Sequence, residues 1–287
     1  MSRFFTFLIV SALALATLAC SITFNLPVDR IVTGPTQTEE ILIEPPAADE
    51  TDLTLDFGAG NLEIEPGDEG YLVSGTAAFN VPELKPEIDV DNDRVHLSTG
   101  DLEINGIPSF GDDLENKWDL KLGDYPMILA INAGAYKGEL ELGGLSIKSL
   151  DITDGAAEVR LSFAEPNKVE MERLRYQTGA SNVELSGLAN ANFSEMVFRS
   201  GAGEYRLDFS GDLKRDAVVT IESGFSQVTI VVPEGISAKV ITTGGLVNVE
   251  AGGDWGKEGS TYSLSGGGPE LTINVDMGVG NLVLRTS

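Results

Sequence analysis

Few residues of this chain are equipped for catalysis or metal binding. His96 is the single histidine. A histidine-based zinc site is therefore excluded, because such sites draw on several His or Cys ligands. His96 stands between Val95 and Leu97, where period-2 alternation places an outward strand residue. Asp89-Val-Asp91-Asn-Asp93 has the carboxylate spacing that opens an EF-type calcium loop. Arg94 occupies the position that needs glycine, and Gly100 the position that needs the bidentate glutamate, so a hairpin turn explains the run better. Glu204, Arg206 and Asp208 share one strand face and could in principle do acid–base chemistry on a glycan. Salt bridges to neighbouring strands explain them more simply. No Gly-x-Ser-x-Gly elbow is present. Gly201-Ala-Gly203 and Gly266-Gly-Gly268 precede no helix start and no P-loop lysine. Catalytic, metal and cofactor-binding residues are all expected to be none, and no cofactor is implied.

The elements that carry these residues repeat. Ile152-Thr-Asp-Gly155-Ala-Ala-Glu-Val159-Arg-Leu161, Tyr176-Gln-Thr-Gly179-Ala-Ser-Asn-Val183-Glu-Leu185, Phe198-Arg-Ser-Gly201-Ala-Gly-Glu-Tyr205-Arg-Leu207 and Ile221-Glu-Ser-Gly224-Phe-Ser-Gln-Val228-Thr-Ile230 are successive copies. Their period of roughly 20–24 residues is that of stacked architectures. Each copy reads as two short alternating runs with a glycine turn between them, the glycine supplying positive φ. Aligned, Leu142, Leu161, Leu185, Leu207 and Ile230 form one inward column. Leu140, Val159, Val183, Tyr205 and Val228 form a second, and Ile131, Ile152, Tyr176, Phe198 and Ile221 a third. Between the first two lies an outward column, Glu141, Arg160, Glu184, Arg206 and Thr229, whose charges alternate in sign. The expected fold is all-β: a β-solenoid of parallel, in-register two-strand repeats preceded by a small β region. A sandwich of antiparallel hairpins is the alternative. The closing segments Leu271–Val275 and Gly278–Leu284 depart from the pattern, as terminal repeats that cap a stack do.

Four segments are expected along the chain: 1–19, 20–35, 36–116 and 117–287. The first reads as a signal peptide, with Arg3 ahead of an apolar run too short to span a bilayer comfortably. Cys20 follows Thr17-Leu-Ala19 and is the only cysteine, so no intrachain disulfide is available. The segment resembles a lipobox, with Thr17 where leucine is usual, which implies a diacylglyceryl thioether on Cys20. An ordinary signal peptide with an incidental cysteine is the alternative. Residues 20–35 read as a lipidated tether, 36–116 as an N-terminal β domain and 117–287 as the repeat domain. In the first of these bodies Leu53–Phe57 and Leu62–Ile64 read as two strands, and Ile88–Val90 and Val95–Leu97 as a hairpin. The formal net charge of −26 repels nucleic acid and anionic surfaces.

Gly58-Ala-Gly-Asn-Leu-Glu-Ile64, Trp118-Asp-Leu-Lys-Leu122, Leu140-Glu-Leu-Gly-Gly-Leu145 and Gly278-Val-Gly-Asn-Leu-Val-Leu284 resemble the bacterial toast-rack proteins. These are related to surface adhesin-like proteins and to the extracytoplasmic part of LiaF-like cell-envelope response proteins. The resemblance covers about residues 36–287 and implies a β-solenoid-like fold. Together with the leader it suggests a non-enzymatic, lipid-anchored cell-surface protein, extracytoplasmic on a bacterial membrane. Its expected partners are the membrane, through the anchor, and a protein or extended surface ligand, with adhesion or envelope scaffolding as the role. An accessory role in envelope-stress sensing is the alternative, and a glycan-active enzyme a third. One outcome is directly measurable. The mature chain is expected to begin at acylated Cys20, so mass spectrometry should find the lipid adduct there. Detergent partitioning that survives Cys20→Ala would refute it.

Overall fold

The structure, a computed structural model, describes residues 33–67, 70–100 and 114–287. Cys20, the leader and most of the tether lie outside them. Fifteen strands form one sheet. They are β1 (Gln37–Ile43), β2 (Thr51–Pro66), β3 (Val73–Phe79), β4 (Pro86–Asp91), β5 (Arg94–Thr99), β6 (Asn116–Leu122), β7 (Met127–Glu141), β8 (Ile147–Ser162), β9 (Met171–Ser186), β10 (Phe193–Asp208), β11 (Ala217–Val232), β12 (Ile236–Ala251), β13 (Gly256–Glu258), β14 (Thr261–Leu264) and β15 (Gly267–Thr286). Among the described residues the only helical pieces are 3-10 turns at Pro82–Leu84 and Leu188–Ala191. The fold is an all-β solenoid.

Eight long strands in the order β2, β7, β8, β9, β10, β11, β15, β12 pair side by side, all parallel. The two runs expected in each repeat are one strand with a bend. Phe198 before the bend and Tyr205 after it stand with ring centroids 5.2 Å apart, so the two arms of β10 face each other across the core. Bending also brings strand ends near neighbouring starts. Parallel neighbours, which ordinarily need long crossovers, are joined here by short returns such as 163–170 and 187–192. The returns close the third side with buried Leu145, Phe163, Leu188 and Phe209. They pair with one another as well. Lys168 N–H donates to the Leu145 carbonyl at 2.8 Å and Asn167 N–H to Asn190 at 2.8 Å. The buried Asn167 amide accepts from Ile147 N–H at 2.9 Å and donates back to the Ile147 carbonyl at 2.8 Å, which satisfies a backbone unit at the return.

Every bend falls on a glycine: Gly58, Gly134, Gly155, Gly179, Gly201, Gly224, Gly278 and Gly245 in stack order. The expected reason, positive φ, does not apply to them. A Cβ built on any glycine from Gly134 onward would lie 2.4–3.0 Å from the carbonyl oxygen of the glycine before it in the row. Glycine is needed because backbones approach too closely for a side chain. Positive φ occurs two residues later in some copies, as at Gly203 with φ 152°.

Counting from the bend corrects the register of one repeat. Leu161 pairs with Leu140 and Arg160 with Glu139. The inward column is thus Leu140, Leu161, Leu185, Leu207, Ile230 and Leu284, and the charged column is Glu139, Arg160, Glu184, Arg206 and Thr229. Leu142 lies eight residues past its glycine, at the position of Phe163, and begins a return. Glu141 instead bonds its own return, accepting from Gly143 N–H at 2.7 Å and Ala164 N–H at 3.0 Å. The third column, Ile131 to Ile221, stands as expected.

The two ends are built differently. At the N-terminal end β5 pairs the first arm of β2 and β6 the second, followed by β3 and β1. Strands of the 36–116 and 117–287 segments therefore share one sheet and one core. The β4–β5 hairpin forms as expected, with Asn92 at φ 57° in its turn. At the other end the last strand does not cap. β15 enters between β11 and β12. Its inward residues Leu271, Ile273, Val275, Met277, Leu282 and Leu284 are all fully buried, as a strand flanked on both sides requires. β12 offers only Val247 and Val249, half-buried, in its second arm. Burial thus places the more apolar strand inside.

Two substitutions measure these forces. Leu185, fully buried between Leu161 and Leu207, should lose about 2–5 kcal/mol on Leu185→Ala. Gly179→Ala puts a methyl 2.4 Å from the Gly155 oxygen and should cost about 1–3 kcal/mol. Gly253→Ala, whose methyl meets nothing within 4 Å, should cost almost nothing. Urea unfolding of the three variants checks this, and equal effects of the two glycine changes would overturn the close-approach account.

Candidate functional site

The residue after each bend glycine points outward at the corner. In stack order these are Ala59, Ala135, Ala156, Ala180, Ala202, Phe225, Val279 and Leu246, all in register. Parallel pairing at about 4.8 Å per strand makes this a ridge of about 33 Å. It is smooth over β7 to β10 and becomes bulky at β11, β15 and β12. There Phe225 is 70% exposed, Val279 43% and Leu246 80%. This exposed apolar cluster on a chain of net charge −26 makes the corner the candidate contact surface. The sequence signal was an apolar residue between Gly224 and Ser226, where other copies carry alanine. Phe225 was not among the expected site residues.

A shallow trough lies over the smooth stretch of the ridge. Its floor is Ala180, Ala202 and Gly203, Phe225 stands at one end, and Asn182 and Gln227 flank it. Gln227 donates from Nε2 to Glu204 Oε1 at 3.0 Å. The trough combines an aromatic wall, an apolar floor and amide groups, the composition that orients a neutral polar ligand.

Further along the second arm lies the charged ladder. Arg160 bridges Glu139 at 2.7 Å and Glu184 at 3.9 Å, and Arg206 bridges Glu184 at 3.4 Å and Asp208 at 3.1 Å. These pairs are largely solvated, so each contributes about 0–1 kcal/mol. Glu204, Arg206 and Asp208 do share a face, and Arg206 is engaged by Glu184 and Asp208. His96 faces outward on β5, with Nε2 2.6 Å from Asp56 Oδ2 on β2. Asp89, Asp91 and Asp93 lie exposed on the β4–β5 hairpin. Among the described residues no three acidic, His or Cys side chains gather as a metal set.

Inside the bend a second polar group escaped sequence reading. Asp154 is 6% exposed and accepts from Tyr176 Oη at 2.7 Å and from Thr178 Oγ1. Thr178 and Ser181 hydroxyls stand 2.6 Å apart, and the row continues through Ser200, Ser223 and Ser226. Burial pushes the Asp154 carboxyl above its usual range, against the hydrogen bonds from Thr178, Tyr176 and Ser181 that favour the carboxylate. Burial likewise raises the Tyr136 and Tyr176 phenols, with Asp154 adding to both. A carboxyl whose folded pKa is raised binds its proton more tightly folded than unfolded. Its stabilisation is full below its unfolded pKa and is lost as pH rises through the folded value. Relative to wild type, Asp154→Asn should therefore gain stability as pH rises from about 4 to 7. Denaturant melts across that range test this. A wild-type-to-variant gap that does not move with pH would refute it.

The corner and its ladders can be set beside known proteins. Residues 32–173 match the family model described as the N-terminal domain of toast_rack, DUF2154. No curated protein matches the chain. Among solved structures, it shares its fold with a "putative cell adhesion protein" from Clostridium sporogenes ATCC 15579. That match has 21% identity and a TM-score of 0.51, covering 88% of this chain and 100% of the other. A "putative lipid binding protein" from Parabacteroides distasonis ATCC 8503 matches at 12% identity and TM-score 0.37, over 87% of this chain and 97% of the other. A "putative adhesin" from Parabacteroides merdae ATCC 43184 matches at 10% identity and TM-score 0.36, over 89% and 98%.

Proposed function

We propose that this chain is a non-enzymatic, lipid-anchored surface protein of the toast-rack family, adhesin-like in role and displayed outside a bacterial membrane. Cys20 would carry the anchor, the following residues the tether, and the solenoid the binding surface. The observation that carries the reading is the corner. Its residues repeat at fixed spacing on a stack whose backbones are in contact, and the ridge ends in exposed Phe225 beside the trough. A rigid row of this kind loses little conformational entropy when an extended partner lies along it. The strongly acidic chain turns anionic partners away, so a neutral or cationic extended surface ligand fits best. The adhesion wording attached to the Clostridium sporogenes structure agrees with this role.

The test is retention of the displayed protein on panels of immobilised neutral polysaccharides and extended peptides. Wild type should be retained by at least one class. Phe225→Ala, which removes the exposed aromatic anchor, should weaken that retention about tenfold or more. Arg160→Ala, on the solvated ladder, should change it little. Retention unaffected by Phe225→Ala, or no retention by any surface, would overturn the assignment of the corner.

A further inference from the structure

Among the described residues the stack has four free strand edges, and one differs from the rest. β1 carries Glu39 and Glu40. β4 carries Pro86, Glu87, Asp89 and Asp91, and all of its residues after Pro86 are exposed. β13 is three residues long and carries Lys257 and Glu258. Charge, proline and shortness are the usual guards against edge-to-edge pairing. The fourth edge is the second arm of β12. β14 pairs with β12 only over Ala238–Ile241, and the Thr242 N–H bond to the Ser260 carbonyl at 3.0 Å is where that cover ends. Beyond it, no strand among the described residues pairs on the outer side of β12. From Ile241 to Val249 this edge has no charged residue and no proline.

The core is also left ajar there. Val247 and Val249 pack on the main core yet remain half-buried. Tyr262 and Leu264 of β14, by contrast, are buried and extend the core over the first arm. The bare edge further adjoins the exposed ridge through Leu246, which pairs with Val279.

We infer that the second arm of β12 is a self-association edge, at which a second copy of this chain adds its own β12 antiparallel about a two-fold axis at Asn248. The occupant follows from charge. Two copies of net charge −26 repel over most of their surface; Ile241–Val249 carries no charge, and in this register Glu250 of each copy stands opposite Leu246 of the other and not opposite a like charge. Antiparallel addition satisfies the open backbone groups of both edges. With Asn248 on the axis, Val247 of each copy lies opposite Val249 of the other, so both half-covered valine pairs become inner-face neighbours. The two Asn248 amides then face each other on the outer side. Such an interface uses the same patch twice and closes at two copies. It would place two tethered ridges on one particle, so that each strengthens the other on an extended surface. The inference stands on the edge itself and does not require that the corner bind anything.

The experiment uses the exported full chain carrying Cys20→Ser, which leaves it without a thiol. Analytical ultracentrifugation should show a dimer at tens of micromolar. Val247→Lys, which puts a charge opposite the apolar Val249 of the other copy and a like charge diagonally across the axis, should raise the dissociation constant about tenfold or more with unchanged circular dichroism. In a parallel arm, Asn248→Cys should form a disulfide-linked dimer under mild oxidation, whereas Thr153→Cys, exposed on β8, should not. This arm reports even if Val247→Lys unfolds. A chain that stays monomeric to concentrations on the order of 100 µM, a dimer unaffected by Val247→Lys, or equal cross-linking at both cysteines would overturn the inference.

Discussion

The architecture depends on close backbone contact along the row of bend glycines. Each successive glycine sits against the carbonyl oxygen of the one before, with room for a hydrogen and not for a methyl group. Once that row is fixed, neighbouring strands cannot slip, because a one-residue shift would drive a side chain into the corner and turn every inward residue outward. In-register columns follow. The leucine column, the aromatic contacts of Tyr176 with Phe198 and of Phe198 with Tyr205, and the charged ladder all inherit their alignment from it. The ladder adds little energy of its own, while the buried columns supply most of the hydrophobic stabilisation.

The same constraint separates the inner and outer sides of the bend. On the inner side, residues flanking the glycines are too confined for large apolar groups in the middle of the stack. The space is filled by hydroxyls around Asp154, each bonded to a neighbour. A satisfied network of this kind is tolerated in a core, whereas its charged member is held there at a cost in desolvation. On the outer side, the residue after each glycine has no neighbour above it, so even phenylalanine can stand there in solvent. Alanine over most of the row and bulky residues at β11, β15 and β12 make a surface with one smooth stretch and one bulky apolar end.

The ends of the stack show a division of labour. The N-terminal end is closed on both arms, by β5 and β6 parallel to β2 and by β4, β3 and β1 added antiparallel beyond them, and is protected by acidic edges. The C-terminal end is closed over the first arm alone. Charge lies along β1, β4 and β13 and is absent from Ile241–Val249 of β12, so the edge strands differ in the partners they would repel.

The sequence by itself determined the strand content, the repeat, most of the columns and the lack of a histidine or thiol cluster. It did so because alternation and glycine spacing are local signals, readable without knowing which strands meet. The β4–β5 hairpin with Asn92 in its turn was legible for the same reason. Tertiary structure decided what depends on neighbours. Leu140 and Glu139 took the positions assigned to Leu142 and Glu141, because register is counted from the contact at Gly134 and not from the nearest matching residues. The bend glycines answered to steric approach and not to φ, which only the adjacent strand reveals. β15 entered ahead of β12 because burial on both sides favours the more apolar strand, a comparison no single segment contains. Phe225 became a candidate site, and Asp154 a buried acid, only when the bend set one outside the corner and the other within it.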